Sequence, residues 1–206
     1  MHKPEIRSEF LLKVIDLSSE YLQNSFLQDS HSGTRIESPA YLFKGAKRID
    51  EFQLETFVRP AVLLDLTRKK LGEPIDDEDL EAAEERAGLA LREEEAVLLQ
   101  TVPVDAEPVS AGTVKHPYLS KNGAEFLEFK HPSIVGTDAL SLDPNGGSEL
   151  KAHSVLMRAN ILVLEGLCNL DKIVQPRFQL LALPLKLRGS ASPVRAVAIM
   201  EAPPVT

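Results

Sequence analysis

Two short runs dominated by apolar residues constrain this chain more than any other feature. Residues 60–66 read Pro-Ala-Val-Leu-Leu-Asp-Leu and residues 96–102 read Ala-Val-Leu-Leu-Gln-Thr-Val. Neither alternates as a half-exposed strand does, and each is bounded by proline, charge or turn residues. Both therefore fit strands buried on their two faces. Between them, Leu80, Ala83, Ala87 and Leu91 recur at helical spacing behind Asp76, Asp77 and Asp79. Carboxylates favour a helix N-terminus, so a helix is expected over 76–91, ending or loosening at Gly88. Strand, helix and strand in that order call for an α/β layer architecture.

The rest of the chain extends the pattern. Residues 11–18, 133–138, 178–184 and 194–200 read as strands, and 119–129 reads as a helix with Ser120 at its N-cap. Residues 153–164 read as a helix passing into a strand. The stretch 103–117 reads as a long loop, and Pro144, Asn145, Gly146, Gly147 and Ser148 mark a turn. Glu93, Glu94 and Glu95 read as a solvated turn, and residues 203–206 as a frayed tail. The expected fold class is α/β with a mixed sheet, in one domain spanning residues 1–206.

Composition narrows the function. Only 5% of residues are aromatic and there is no Trp, so the core must be aliphatic. A net charge of −8 argues against a nucleic-acid or anionic-membrane partner, both of which favour a basic face. The one cysteine, Cys168, lies in an apolar run and reads as a small buried hydrophobe. A single cysteine forms no intrachain disulfide, which suits a reducing compartment. With no membrane-length apolar segment and no signal-like start, a cytoplasmic location is expected.

Chemistry concentrates in residues 31–41, where His31, Gly33, Thr34, Arg35, Glu37, Ser38, Pro39 and Tyr41 stand together. A hydrolytic divalent ion takes three or four N/O ligands and keeps a position open for water. His31 and Glu37 in this loop, with His153 and Glu165 further along, form a credible N₂O₂ set for zinc or manganese. Glu165 lies among Leu164, Gly166 and Leu167, and a buried carboxylate needs a partner. His116 and His131 each precede a proline and read as loop or turn residues. Asp138 and Ser141 read as supports of the site or as turn caps.

These residues resemble the cyclase family, which includes bacterial kynurenine formamidase and isatin hydrolase. The family loop His-x-Gly-Thr-His-x-Asp-x-Pro-x-His is similar to His31-Ser-Gly33-Thr34-Arg35-Ile-Glu37-Ser-Pro39-Ala-Tyr41. Gly136-Thr-Asp138-Ala-Leu-Ser141 resembles a second family segment, and the twelve-residue step from His153 to Glu165 resembles the later ligands. The block from Pro184 to Ala196 is also similar. The resemblance implies the swivelling β/β/α fold and a homodimer or higher homo-oligomer. It also implies a metal-dependent hydrolase of a small amide, formamide or lactone, with His31, Glu37, His153 and Glu165 as ligands.

Three positions depart from the family loop. Arg35 replaces a histidine and cannot coordinate a cation. Glu37 replaces the aspartate, and Tyr41 replaces the histidine that serves as general acid/base. The altered loop suits one ion, with Arg35 standing where another would sit, or no ion, with Arg35 paired to the carboxylates. Tyr41 and Arg35 become the candidate catalytic residues; Arg35, Thr34 and Ser38 become the candidate substrate contacts. The rival expectation is a silent or metal-independent relative that binds a small acidic metabolite through Arg35.

Overall fold

A computed structural model describes residues 12–18, 33–102, 115–145 and 149–201. His31, most of the expected loop 103–117, the Gly146-Gly147-Ser148 part of the turn and the expected frayed tail lie outside the described residues.

The strands are β1 (Leu12–Asp16), β2 (Arg35–Glu37), β3 (Val58–Asp65), β4 (Pro74–Ile75), β5 (Ala96–Gln100), β6 (Tyr118–Leu119), β7 (Ile134–Thr137), β8 (Leu162–Glu165), β9 (Arg177–Pro184) and β10 (Ala191–Glu201). The α-helices are α1 (Asp77–Ala87), α2 (Lys121–Lys130) and α3 (Lys151–Arg158). The main sheet runs β1-β10-β2-β8-β7-β5-β3-β9, and β9 also pairs with β10. That second pairing closes the sheet on itself. The neighbours β3, β5, β7 and β8 are parallel, whereas β2 and β9 run antiparallel to theirs. The mixed α/β sheet anticipated from the sequence is present.

Side chains alternate across this sheet with the two-residue period of extended backbone. Ala61, Ala96, Leu98, Ile134, Leu162 and Leu164 point into the barrel, where they meet Ile36, Leu180, Ala182, Ala196 and Ala198. The many alanines suit a narrow interior. Val62, Leu64, Val97, Leu99, Val135 and Val163 point outward into a second core. That core is completed by Leu80 and Ala83 of α1, Ala124 and Leu127 of α2, and Leu156 and Met157 of α3. Strands buried on both faces explain why the runs 60–66 and 96–102 carry no alternation.

The helix boundaries follow capping chemistry. In α1, Asp76 and Asp79 form a capping box, and Gly88 ends the helix with φ 63°. This left-handed backbone suits glycine, so the helix stops there instead of reaching residue 91. In α2 the Ser120 hydroxyl accepts from the Gly123 N–H at 3.0 Å, as its N-cap position anticipates. His131 closes α2 in the left-handed region. No helix among the described residues is long and apolar enough to cross a membrane.

Two surface expectations need correction. Glu95 is buried, because the Arg177 Nε donates to its carboxylate at 3.0 Å and the Arg92 N–H at 3.1 Å. Only Glu93 and Glu94 of the acidic run form the exposed turn. Cys168 is half-buried rather than enclosed, and its sulfur accepts from Asn169 Nδ2.

Candidate metal centre

β2 is three residues long and lies between β10 and β8. Ile36 points into the barrel, so Arg35 and Glu37 point to the opposite face, over which α3 packs. Arg35 stands directly across from Glu165 at the end of β8. His153, in the first turn of α3, descends on the same spot. The site therefore forms where one end of the sheet meets the start of a helix.

Gly33 and Gly166 set the loop geometry. Both have positive φ, and a Cβ at residue 166 would lie 2.7 Å from the Gly33 carbonyl oxygen. Only glycine permits that approach. Across it, the Thr34 hydroxyl donates to the Gly166 carbonyl at 2.6 Å.

The Arg35 guanidinium joins the two carboxylates. Its Nε donates to Glu37 Oε1 at 2.8 Å and one Nη donates to Glu165 Oε2. The carbonyls of Gly33 and Leu140 accept from it at 3.3 and 3.1 Å. Burial favours loss of its charge, but Glu165 and Glu37 more than compensate and raise its pKa further.

The other oxygen of each carboxylate faces His153. Its Nε2 lies 3.4 Å from Glu37 Oε2 and 3.3 Å from Glu165 Oε1. Its Nδ1 lies 2.6 Å from Asp143 Oδ2. Glu37, Glu165, Asp143 and His153 are each 2% exposed or less. Burial pushes the Asp143 pKa up, but hydrogen bonds from His153 and the Ala152 N–H outweigh it and hold the carboxyl below the usual range. The ionised Asp143 makes Nδ1 the donor. Burial likewise opposes charge on His153, yet its bonds to Asp143, Glu165 and Glu37 raise its pKa well above the imidazole range.

This donor set fits a small divalent ion. Glu37, His153 and Glu165 each offer a ligand atom, all within 4.8 Å of one another. Ligands at about 2.0–2.2 Å from one tetrahedral ion stand roughly 3.3–3.6 Å apart, which the two His153 separations match. An unprotonated Nε2 facing two carboxylates would be repelled without a cation between them, so either a proton or a metal ion belongs there. With His153 neutral, as a metal ligand must be, the three carboxylates outnumber the single guanidinium by two charges, the charge of one divalent ion.

Tyr41 lies beside His153. It is 39% exposed, and its ring meets His153 edge-on at a centroid distance of 6.1 Å. Burial and the Glu37 charge push its phenol pKa up, so it remains protonated at neutral pH.

The chain resembles known proteins over most of its length. Residues 7–144 match the model of the Cyclase family. The chain belongs to the Cyclase family. Kynurenine formamidase of Bacillus mycoides is 32% identical over 168 residues, covering 81% of this chain and 75% of that protein. The corresponding Salinibacter ruber protein is 30% identical over 182 residues, covering 84% and 77%. Among solved structures, isatin hydrolase A of Labrenzia aggregata superposes with TM-score 0.77 at 22% identity, covering 93% of this chain and 94% of that one. A structure described as a potential metal-dependent hydrolase with cyclase activity reaches TM-score 0.76 at 24% identity, covering 94% and 100%. These structural likenesses establish the shared fold.

The structure sorts the sequence-based site. It brings Arg35, Glu37, His153, Glu165 and Tyr41 together. Thr34 and Ser38, expected to contact substrate, are wholly buried. Each donates its hydroxyl to a backbone carbonyl, Ser38 to Ser190 at 3.0 Å, so both shape the loop. Asp138 instead binds the Thr101 and Val102 N–H groups. His116 is buried, with Nε2 3.1 Å from the Asp143 carbonyl. Asp143, whose carboxylate accepts from His153 Nδ1, is the residue beside the site that sequence reasoning missed. Its one signal is an acidic side chain in the loop that precedes a helix start.

Proposed function

We propose that the chain is a metal-dependent hydrolase of a small amide, formamide or lactone, working with a single zinc or manganese ion. The observation that carries this reading is the buried cup of Glu37 Oε2, His153 Nε2 and Glu165 Oε1. A divalent ion held there supplies Lewis-acid polarisation of a carbonyl and a water acidified toward neutral pH. Arg35 takes the remaining carboxylate oxygens and so occupies the place of any further cation. Glu165 is also fixed by the Leu142 N–H, which donates to its Oε1 at 2.7 Å. Tyr41, protonated and half-open to solvent, is the residue positioned to hydrogen-bond a substrate oxygen or give a proton to a leaving group.

The kynurenine formamidase relatives make an N-formyl anilide the first substrate to test, and the fold shared with isatin hydrolase makes a cyclic amide the second. The rival, an inactive protein that grips an acidic metabolite through Arg35, has less support. Four of the five guanidinium N–H groups already go to protein acceptors. We further propose a homodimer in the cytoplasm, with the exposed Leu54, Leu183 and Leu185 as an apolar contact surface.

The test is elemental analysis of protein purified without a metal-affinity tag, followed by assays with N-formylkynurenine and isatin. The expected content is about one divalent ion per chain. Less than about a tenth of an ion, with no binding of added zinc or manganese, overturns the reading. Light scattering after size exclusion tests the dimer.

A further inference from the structure

We infer that Asp143 is the positioning residue of this site, holding His153 so that its Nε2 faces the two carboxylates. The inference rests on the proposed metal cup for its consequence, but its geometry stands without a metal.

Asp143 lies outside the residues that supply ligand atoms, yet three donors converge on its carboxylate. Oδ1 accepts from the Ala152 N–H at 2.9 Å. Oδ2 accepts from the His153 N–H at 3.1 Å and from His153 Nδ1 at 2.6 Å. The first two bonds fasten the opening turn of α3, and the third fixes the rotation of the ring that the turn carries. A ring able to spin could present either nitrogen; one that must donate through Nδ1 presents Nε2 alone.

The backbone of Asp143 is held just as firmly. Its N–H donates to the Ser141 hydroxyl at 3.3 Å, and its carbonyl accepts from the buried His116 Nε2 at 3.1 Å. On either side of it the same loop grips the other members of the site, through the Leu140 carbonyl on Arg35 and the Leu142 N–H on Glu165. The loop after β7 therefore sets the mutual placement of three residues that come from β2, β8 and α3. Asp143 does so with its side chain.

An amide cannot reproduce this arrangement. Asparagine offers one acceptor oxygen where three N–H groups need two: in one orientation the Ala152 N–H faces the NH₂ group, and in the other both His153 donors do. Asp143→Asn and the milder Ser141→Ala are tested for zinc affinity by competition with a chromophoric chelator. The Nδ1–H resonance of His153 is followed by NMR, assigned by its loss in His153→Gln. The expected result for Asp143→Asn is zinc binding weakened about 10–100-fold and loss of the slowly exchanging resonance. Ser141→Ala should broaden or shift that resonance with a smaller fall in affinity. An unchanged resonance with affinity within about twofold overturns the inference. A loss of affinity with the resonance unmoved also overturns it, since a merely structural role would do that. If Asp143→Asn does not fold by circular dichroism, Ser141→Ala decides alone: a moved resonance supports the inference and an unmoved one overturns it. If the parent protein binds no zinc, the metal reading fails, and the resonance in the zinc-free protein still tests Asp143.

Discussion

The loop 33–41 and the loop 138–145 close over the same side chains by opposite means. The first contributes charged and aromatic side chains: Arg35 and Glu37 in the cup, Tyr41 at its mouth. The second contributes mostly backbone, with the Leu140 carbonyl on Arg35 and the Leu142 N–H on Glu165, plus the one carboxylate of Asp143. Side chains can be exchanged one at a time, so the first loop can change its chemistry while the second keeps the frame. Arg35 and Tyr41, which stand where the resemblance sets histidines, both lie in the loop whose contribution is made by side chains.

The largest expected effect comes from removing the guanidinium. Arg35→Leu leaves Glu37 and Glu165 buried beside each other, and loss of one partner from a buried ion pair costs about 3–5 kcal/mol. Urea denaturation in chelator should show a loss of that size, and added zinc should stabilise this variant more than the parent. Equal stability of the two in chelator would mean that Arg35 is not the internal countercharge.

Gly166→Ala comes next. It forces a Cβ against the Gly33 carbonyl at a left-handed φ of 68°, with a cost of about 2–3 kcal/mol. The same assay should show it, and a neutral result would break the account of how the two segments meet.

The pH dependence of the metal-free protein probes the cup without mutation. His153 has a folded pKa raised above its unfolded value. Its contribution to stability is fully present below about pH 6.5, the unfolded imidazole value, and is lost as pH rises through the higher folded value. Asp143, whose folded pKa is lowered, contributes above the unfolded carboxylate range and loses that contribution as pH falls through its folded value. Melting temperature in chelator should therefore fall on the alkaline side, and His153→Gln should flatten that limb. Bound zinc should reverse the trend, because the ion requires an unprotonated Nε2.

The smallest effect belongs to Thr34→Val. It removes the hydroxyl bond to Gly166 and should cost about 1 kcal/mol without altering metal content. A loss of metal on this substitution would return Thr34 to the functional side of the loop.

The division between the two loops also explains what could be read from the sequence. Runs 60–66 and 96–102 announced their strands because burial on both faces leaves a continuous apolar signature. The helix that ends at Gly88 was legible for a similar reason, since the stop is written in a residue type. His153 and Glu165 could be picked out because their twelve-residue step resembles the family's later ligands and because a carboxylate among leucines is an oddity. Leu140 and Leu142 could not, because a backbone carbonyl or N–H leaves no trace in residue identity. Thr34 and Ser38 are ambiguous in sequence because a hydroxyl in a loop looks the same whether it faces a ligand or, as here, donates to a carbonyl. Glu95 misled because its partner, Arg177, lies 82 residues away. The closure of the sheet through β9 and β10 depends on long-range pairing that no local pattern encodes.

The pairing of Arg35 with Glu165 across β2 and β8 has a consequence for assembly of the sheet itself. A strand of three residues has little with which to choose its alignment. Sliding β2 by one residue would turn Ile36 toward the helices and drive the guanidinium into an interior lined with alanine and leucine. The opposed charges thus act as a registration mark for the strand.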